Sequence, residues 1–319
     1  MLNQLLLPYI GQAQLNIAYA VIAFVLTTIL LRVDLPFLPK DQGRPNAVNG
    51  ELSKGKTRGV GLVMMICFVL TAALFLPFSL EFMFFALLIL AEMFSGYLDD
   101  ASKTSWSDYK KGAIDFVISL LVGVVFVLNN PTTIYFGAVG VTLHPILYGA
   151  LATILVWMSI NAVNCTDGVD GLSGTVGLVS ILSFLVIYPT ELCADHYEGY
   201  ILLLAAIFVS YLLFNAGPSK VLMGDAGSRP LGVLLAILAM KTQHPLCYLL
   251  LCGVFIADGL TGLVKIFFLR FFKIHFFKNT RTPLHDHVRK NRGWSDTQVV
   301  IRFAIIQLIC SAVWFITTL

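Results

Sequence analysis

Ten long apolar runs constrain this chain more than any other feature. They fall near 15–33, 59–78, 80–97, 113–129, 146–163, 171–188, 199–216, 229–242, 245–272 and 298–318. Most approach the ~20 residues that a helix needs to cross a bilayer. A segment in lipid must satisfy its own backbone hydrogen bonds, and unbroken apolar runs of this length do so as helices. Composition agrees: 58% of the 319 residues are hydrophobic and 12% charged, with a mean hydropathy of +0.84. That profile belongs to polytopic membrane proteins and argues against a soluble domain. The expected fold is all-α, a single polytopic membrane domain over 1–319 with about ten transmembrane helices. The 229–242 run is short, and the 245–272 run is too long for one straight span. The latter is expected to tilt, or to leave the membrane as an amphipathic helix along 266–278. Residues 1–14 lack a basic region and a small-residue cleavage site, so the first run reads as a retained helix. The six cysteines show no metal-type spacing and read as core packing.

With ten spans the loops alternate sides. The loops 32–58, 98–112, 217–229 and 270–297 share one side and carry 18 of the 21 Lys and Arg. The opposite loops carry only Lys241. The positive-inside rule makes the basic side cytoplasmic. The loop between the fifth and sixth runs has no basic residue but falls on the same side.

The acids follow this division. Leu98-Asp99-Asp100, the segment from Asn161 through Asn164, Asp167, Gly168 and Asp170 to Gly171, and Met223-Gly224-Asp225-Ala226-Gly227-Ser228 all lie at that face. Carboxylates near lipid are expensive and point to function. Several at one site bind Mg²⁺ and, through it, a phosphate. Each motif also has an ordinary explanation. Asp99-Asp100 alone reads as solvated helix-end acids, and Asp225 or Ser228 as an N-cap. A polar turn would account for some of 161–174, but not for so many hydrogen-bonding groups at a membrane edge. His285-Asp286-His287 sits among Arg281, Arg289, Lys290 and Arg292, which suits diphosphate binding or proton transfer better than zinc. Lys56 and Arg58 adjoin a span and are candidates to reach an anionic substrate, with Asn215 ending the helix before the Asp225 motif. His144, His196 and His244 fall on the other side and read as bland. Glu81, Glu92, Asp115 and Asp258 are exceptions within apolar runs, and Asp258 most needs an explanation.

At these residues the chain resembles the polyprenyl-phosphate N-acetylhexosamine-1-phosphate transferase superfamily. The matching motifs are Gly96-Tyr-Leu-Asp-Asp100, Asn161 to Leu172, Asn215 to Gly232 and His285-x-His287, within a likeness running from about residue 50 to 310. Arg281-Thr-Pro-Leu-His285-Asp-His287, Gly293-Trp294 and Val299-Val300-Ile-Arg302-Phe303 resemble the phospho-N-acetylmuramoyl-pentapeptide-transferase family in particular. The resemblance implies a Mg²⁺-dependent membrane enzyme of the bacterial inner membrane with a cytoplasmic-face cleft. Its substrates would be undecaprenyl phosphate and UDP-MurNAc-pentapeptide, and its products lipid I and UMP. Carried over residue by residue, Asp99, Asp100, Asp225 and His285 are the catalytic set, with Asp225 as the Mg²⁺ ligand and Asp99 a candidate base. Lys56, Asn161, Asn164, Asp167, Gly168, Asp170, Asn215 and His287 are the substrate-binding set. The chain departs from the family's pattern at Asp286, where the family shows a third His, and at Leu222, where it shows an aromatic. These departures bear on which sugar is transferred. No nucleic-acid partner is expected, and a homodimer is left open.

Two rivals define the alternatives. One is a relative that transfers N-acetylglucosamine-1-phosphate or another N-acetylhexosamine phosphate from its UDP-sugar. The other is a membrane transporter, which would place paired charges near mid-membrane with inverted repeats and broken helices.

Overall fold

The computed structural model describes residues 6–7, 9–43, 50–77, 79–137, 139–187, 197–274 and 280–318. Each of the ten apolar runs is helical. The first four helices are α1 (Gln12–Arg32), α2 (Gly61–Phe75), α3 (Leu80–Asp100) and α4 (Asp108–Asn129). Next come α5 (Pro145–Thr166), α6 (Leu172–Ile187), α7 (Tyr197–Asn215) and α8 (Asp225–Lys241). A bent pair follows, α9 (Pro245–Leu251) and α10 (Gly253–Phe272). The polar α11 (Leu284–Arg292) and the apolar α12 (Asp296–Thr318) complete the described chain.

Helices α1, α3, α4, α5, α7 and α12 are long and apolar enough to cross a membrane, and the α9–α10 pair makes a seventh if counted as one span. The chain is therefore a multi-pass helical membrane protein. The remaining helices are shorter for a visible reason. α8 has 17 residues and every one of them is buried. It is the axis of the bundle, packed against α2, α3, α5 and α6. A helix buried all round belongs in a core, and at 1.5 Å per residue this one is roughly 25 Å long. Its first turn lies beside the end of α3, where Asp100 accepts the Ala226 N–H. Glycine permits the packing: a Cβ on Gly96 of α3 would lie 2.3 Å from the Asp225 carbonyl oxygen.

The long 245–272 run is neither straight nor merely tilted. Its two parts meet at 73°. Cys252 leaves helical geometry at φ −125° and ψ 24°, and wide π-turns follow at Ile256–Leu260 and Phe268–Phe272. The helix ends at Phe272, with Lys273 left-handed at φ 58°, so the expected helix along 266–278 stops short; 275–279 lie outside the described residues. The loop near 130–145 contains an antiparallel hairpin, β1 (Thr133–Phe136) with β2 (Val139–Thr142).

Arg229 requires a correction. The sequence places it in a basic loop, but it is in α8 and fully buried. The exceptional acids also find their partners. At the hairpin end, Lys241 donates to Glu81 at 2.7 Å and to Asn130 at 2.6 Å, joining α8 to α3 and α4. His244 Nδ1 lies 3.1 Å from the Tyr135 carbonyl oxygen. His144 accepts the Ile146 N–H at 3.3 Å as an N-cap. His196 and Cys193 lie outside the described residues, and the five described cysteines are free.

Candidate active site

The site begins with a short segment that forms β-bridges at Thr57, antiparallel to Lys40 and parallel to Val221. Lys56-Thr57-Arg58 runs between two chain segments. Lys56 O accepts the Asp41 N–H at 2.8 Å, Thr57 O accepts the Leu222 N–H at 2.8 Å, and the Arg58 N–H donates to Pro39 O at 2.9 Å. Side chains alternate across such a strand. Lys56 and Arg58 face the ends of α3, α7 and α8, while Thr57 faces away and accepts from Lys40 at 2.8 Å.

Arg58 gathers three acids. Its guanidinium donates to Asp100 at 2.7 Å, to Asp41 at 3.1 Å and to Asp225 at 3.4 Å. Burial would weaken its proton, yet the charges of Asp100, Asp225 and Asp41 hold it firmly cationic. Burial likewise pushes the Asp41 carboxyl up, but hydrogen bonds from Ser53 and the Gly43 N–H, with the Arg58 charge, hold it below the usual range. Lys111, from the first turns of α4, is the second cation. It pairs with Asp99 and stands 3.3 Å from Asp225. Asp99 also accepts the Trp106 N–H at 2.7 Å, and Asp100 the Ala226 N–H at 3.1 Å. Asp225 opens α8 after Gly224, whose φ of 66° and closeness to Asp100 exclude a side chain: a Cβ there would lie 2.3 Å from an Asp100 oxygen. Lys110 lies over the Trp106 ring, 3.3 Å from its centroid.

Beyond the end of α5, residues 167–171 form a strap that meets Lys56, Asn215 and His285. Asp170 accepts from Lys56 at 3.1 Å and from the Ser219 N–H at 2.9 Å, and Lys56 also donates to Ser219 at 2.9 Å. Asn215 uses its amide to tie backbone, accepting the Gly171 N–H at 2.9 Å and donating to Val221 O at 2.8 Å. It holds the strap against the loop before Asp225 rather than presenting an open ligand group. Asn161 is drawn inward, towards Asp115 at 3.4 Å and Trp157 O at 2.9 Å. Asn164 and Asp167 are half-buried at the α5 end.

The third part comes from beyond the bend. His285 in α11 is buried and held by Asp258: its N–H donates at 2.7 Å, and its Nδ1 lies 2.8 Å from the same carboxylate. Its Nε2 faces Gly168, where a Cβ would sit 2.4 Å away. His287 does not join it and accepts the Arg281 N–H at 3.2 Å. Asp286 is held by Arg289 at 3.4 Å and approached by Arg281 at 3.7 Å.

Sequence reasoning missed a buried triad beneath the site. Arg229, one turn below Asp225, meets Glu92 of α3 at 2.7 Å and also Asp115 of α4. The available signal was spacing, since Arg229 lies at i+4 from Asp225 once the motif is read as a helix start. Asp41 was likewise not singled out.

Among the described residues, no three His, Cys, Asp or Glu converge as a metal site. The donor chemistry nonetheless suits a hard cation, because Mg²⁺ commonly takes one or two carboxylates and fills its remaining positions with water and substrate phosphate. Asp225 fits that demand. Its two oxygens face Arg58 and Lys111 at the long distances of 3.4 and 3.3 Å.

Fold and site together define a multi-pass membrane protein whose carboxylates, lysines and arginine meet at one end of the bundle. The family model described as "Glycosyl transferase family 4" matches residues 82–243. The phospho-N-acetylmuramoyl-pentapeptide-transferase of Treponema pallidum (strain Nichols) is 36% identical, covering 94% of this chain and 90% of its own length. Its namesake from Dictyoglomus thermophilum is 30% identical, covering 90% of this chain and 93% of its own. The chain belongs to glycosyl transferase family 4, together with these phospho-N-acetylmuramoyl-pentapeptide-transferases.

Proposed function

We propose that this chain transfers phospho-N-acetylmuramoyl-pentapeptide from UDP-MurNAc-pentapeptide to undecaprenyl phosphate, releasing UMP and forming lipid I. The observation that carries this reading is the meeting of Asp99, Asp100 and Asp225 with Lys111 and Arg58 at one end of the bundle. It occurs in a chain 36% identical, over most of its length, to a relative of that name.

A phosphate oxygen of the lipid attacks the β-phosphorus of the nucleotide sugar, and the bond to the bridging oxygen of UMP breaks. Asp99 takes the proton from the attacking phosphate while Lys111 holds its charge. Asp225 would hold Mg²⁺, which would offset the charge of the diphosphate. Arg58 fixes Asp100 and Asp225 and is a ready partner for an equatorial phosphate oxygen. Lys56, Asp170, Asp167, Asn164 and Gly168 form the floor for the nucleotide sugar. His285 addresses the diphosphate with its Nε2, and His287 the sugar. Asn215 positions the strap, and Asn161 acts from α5 through Asp115.

The reading includes about ten spans, counting α2, α6 and α8 as short crossings, with the site on the cytoplasmic face of a bacterial plasma membrane. The basic residues of the site-side segments favour that orientation.

The test offers purified protein undecaprenyl phosphate and Mg²⁺, with UDP-MurNAc-pentapeptide and UDP-GlcNAc in separate reactions, and reads UMP. Release with the first alone is expected, and Asp225→Ala should lose it by roughly 10²- to 10³-fold or more. Release with the second alone would overturn the substrate; full activity in Asp225→Ala would remove Asp225 from the site.

A further inference from the structure

A cavity of about 680 Å³ opens on the far side of the Lys56–Arg58 strand, where α1 and α7 end. The strand separates it from the acid cluster, with Thr57 on the cavity side and Lys56 and Arg58 on the other. Arg32, Lys40 and Lys220 stand around it, and Leu31, Leu213 and Phe214 contribute apolar wall. Lys40 is already engaged by Asp34 at 2.7 Å and by Thr57 at 2.8 Å. Arg32 and Lys220 are different: neither meets a carboxylate among the described residues, and both are exposed.

These features select a ligand chemistry. Two uncommitted cations call for an anion. The apolar wall continues into outward-facing side chains of the flanking helices, with Ile29 of α1 56% and Leu213 of α7 61% exposed. A small inorganic ion would leave that wall wet, whereas an amphiphile covers both parts. The volume falls within the ~300–1,000 Å³ of ordinary ligand pockets. The position, at the ends of two membrane-crossing helices on the basic side, is where an anionic head group sits. We infer that this cavity binds the head group of an anionic phospholipid, with its phosphate between Arg32 and Lys220 and its first chain segments along Leu213. The site is separate from the one that takes the reacting lipid phosphate.

Intact-complex mass spectrometry on delipidated protein in mild detergent tests this, with phosphatidylglycerol and phosphatidylcholine as probes. The wild type should hold one phosphatidylglycerol in preference to phosphatidylcholine. The double variant R32Q/K220Q should bind phosphatidylglycerol about 10- to 30-fold more weakly, taking each cation as worth roughly a factor of five. R32K/K220R should restore binding. L213W keeps the charges but fills the cavity, and should also lose the lipid. Because the readout is binding, it stands apart from the transferase assay. Equal affinity in wild type and R32Q/K220Q would overturn the inference. Displacement by millimolar inorganic phosphate would make the cavity a soluble-anion site instead, and displacement by undecaprenyl phosphate would make it part of the substrate site; either result also overturns it.

Discussion

Asp258 holds His285 at two points, accepting its backbone N–H at 2.7 Å and facing its ring Nδ1 at 2.8 Å. A carboxylate only accepts, so Nδ1 carries the hydrogen and Nε2 is turned to Gly168. An acid within an apolar run thus orients a histidine 27 residues along the chain, across the π-turn of α10 and the segment leading to α11.

Asp258→Ala should lower turnover roughly 10- to 100-fold, the usual cost of losing a partner that orients a working histidine. His285→Ala should add little in that background, because the two act as one unit. UMP release from both single variants and the double would show this. Fully additive losses would separate the two residues.

The Arg229 triad should behave differently when broken and when replaced. Arg229→Leu leaves Glu92 and Asp115 facing each other in a fully buried site, and should destabilise the fold by about 3–5 kcal/mol. Replacing all three with Leu removes the uncompensated charge and should recover most of that loss. Thermal unfolding in detergent compares them; a triple variant no better than Arg229→Leu would contradict the argument.

Gly224→Ala probes the approach of α8 to Asp100. The φ of 66° and ψ of −171° at Gly224 lie in a region open almost only to glycine, so a side chain there should cost about 1–3 kcal/mol from the backbone alone. The new Cβ, 2.3 Å from an Asp100 oxygen, should also push that carboxylate off Arg58 and reduce turnover. Stability and rate should fall together, and a wild-type rate would mean that Asp100 tolerates the shift.

Asp41 predicts an acid response. Its folded-state pKa lies below the unfolded value of about 3.9, so its stabilising contribution is complete above that pH and is lost as pH falls through the folded value. Asp41→Asn should unfold at a lower temperature at pH 7, and its melting temperature should vary less with pH below about 4. Parallel melting curves against pH for the two proteins would count against this.

The helices were legible because run length and apolarity are properties of consecutive residues. The motifs at Asp99, Asp170, Asp225 and His285 were legible because the expected alternation of ten spans would send their loops to one side, a grouping drawn without any knowledge of packing. The triad was not legible. Glu92 and Asp115 are single acids in separate apolar runs, and Arg229 follows a glycine-rich turn that reads as loop. Only the packing of α3 against α8, with α4 beside α3, brings them together. The 73° bend was hidden for a related reason: hydropathy records how long a run is and carries no sign of where Cys252 departs from the helix. Asn215 and Asn161 show the same limit at the level of single residues. Their type suggested ligand contact, while their geometry spends them on backbone and on Asp115.

The strand at 56–58 makes part of the site a matter of parity. Lys56 and Arg58 reach the carboxylates because they occupy even steps of an extended chain, and Thr57 faces the cavity because it occupies the odd one. One residue inserted after Lys56 would shift the frame. A hydroxyl would then stand among Asp41, Asp100 and Asp225, and the guanidinium would turn outward, although every side chain of the original strand was still present.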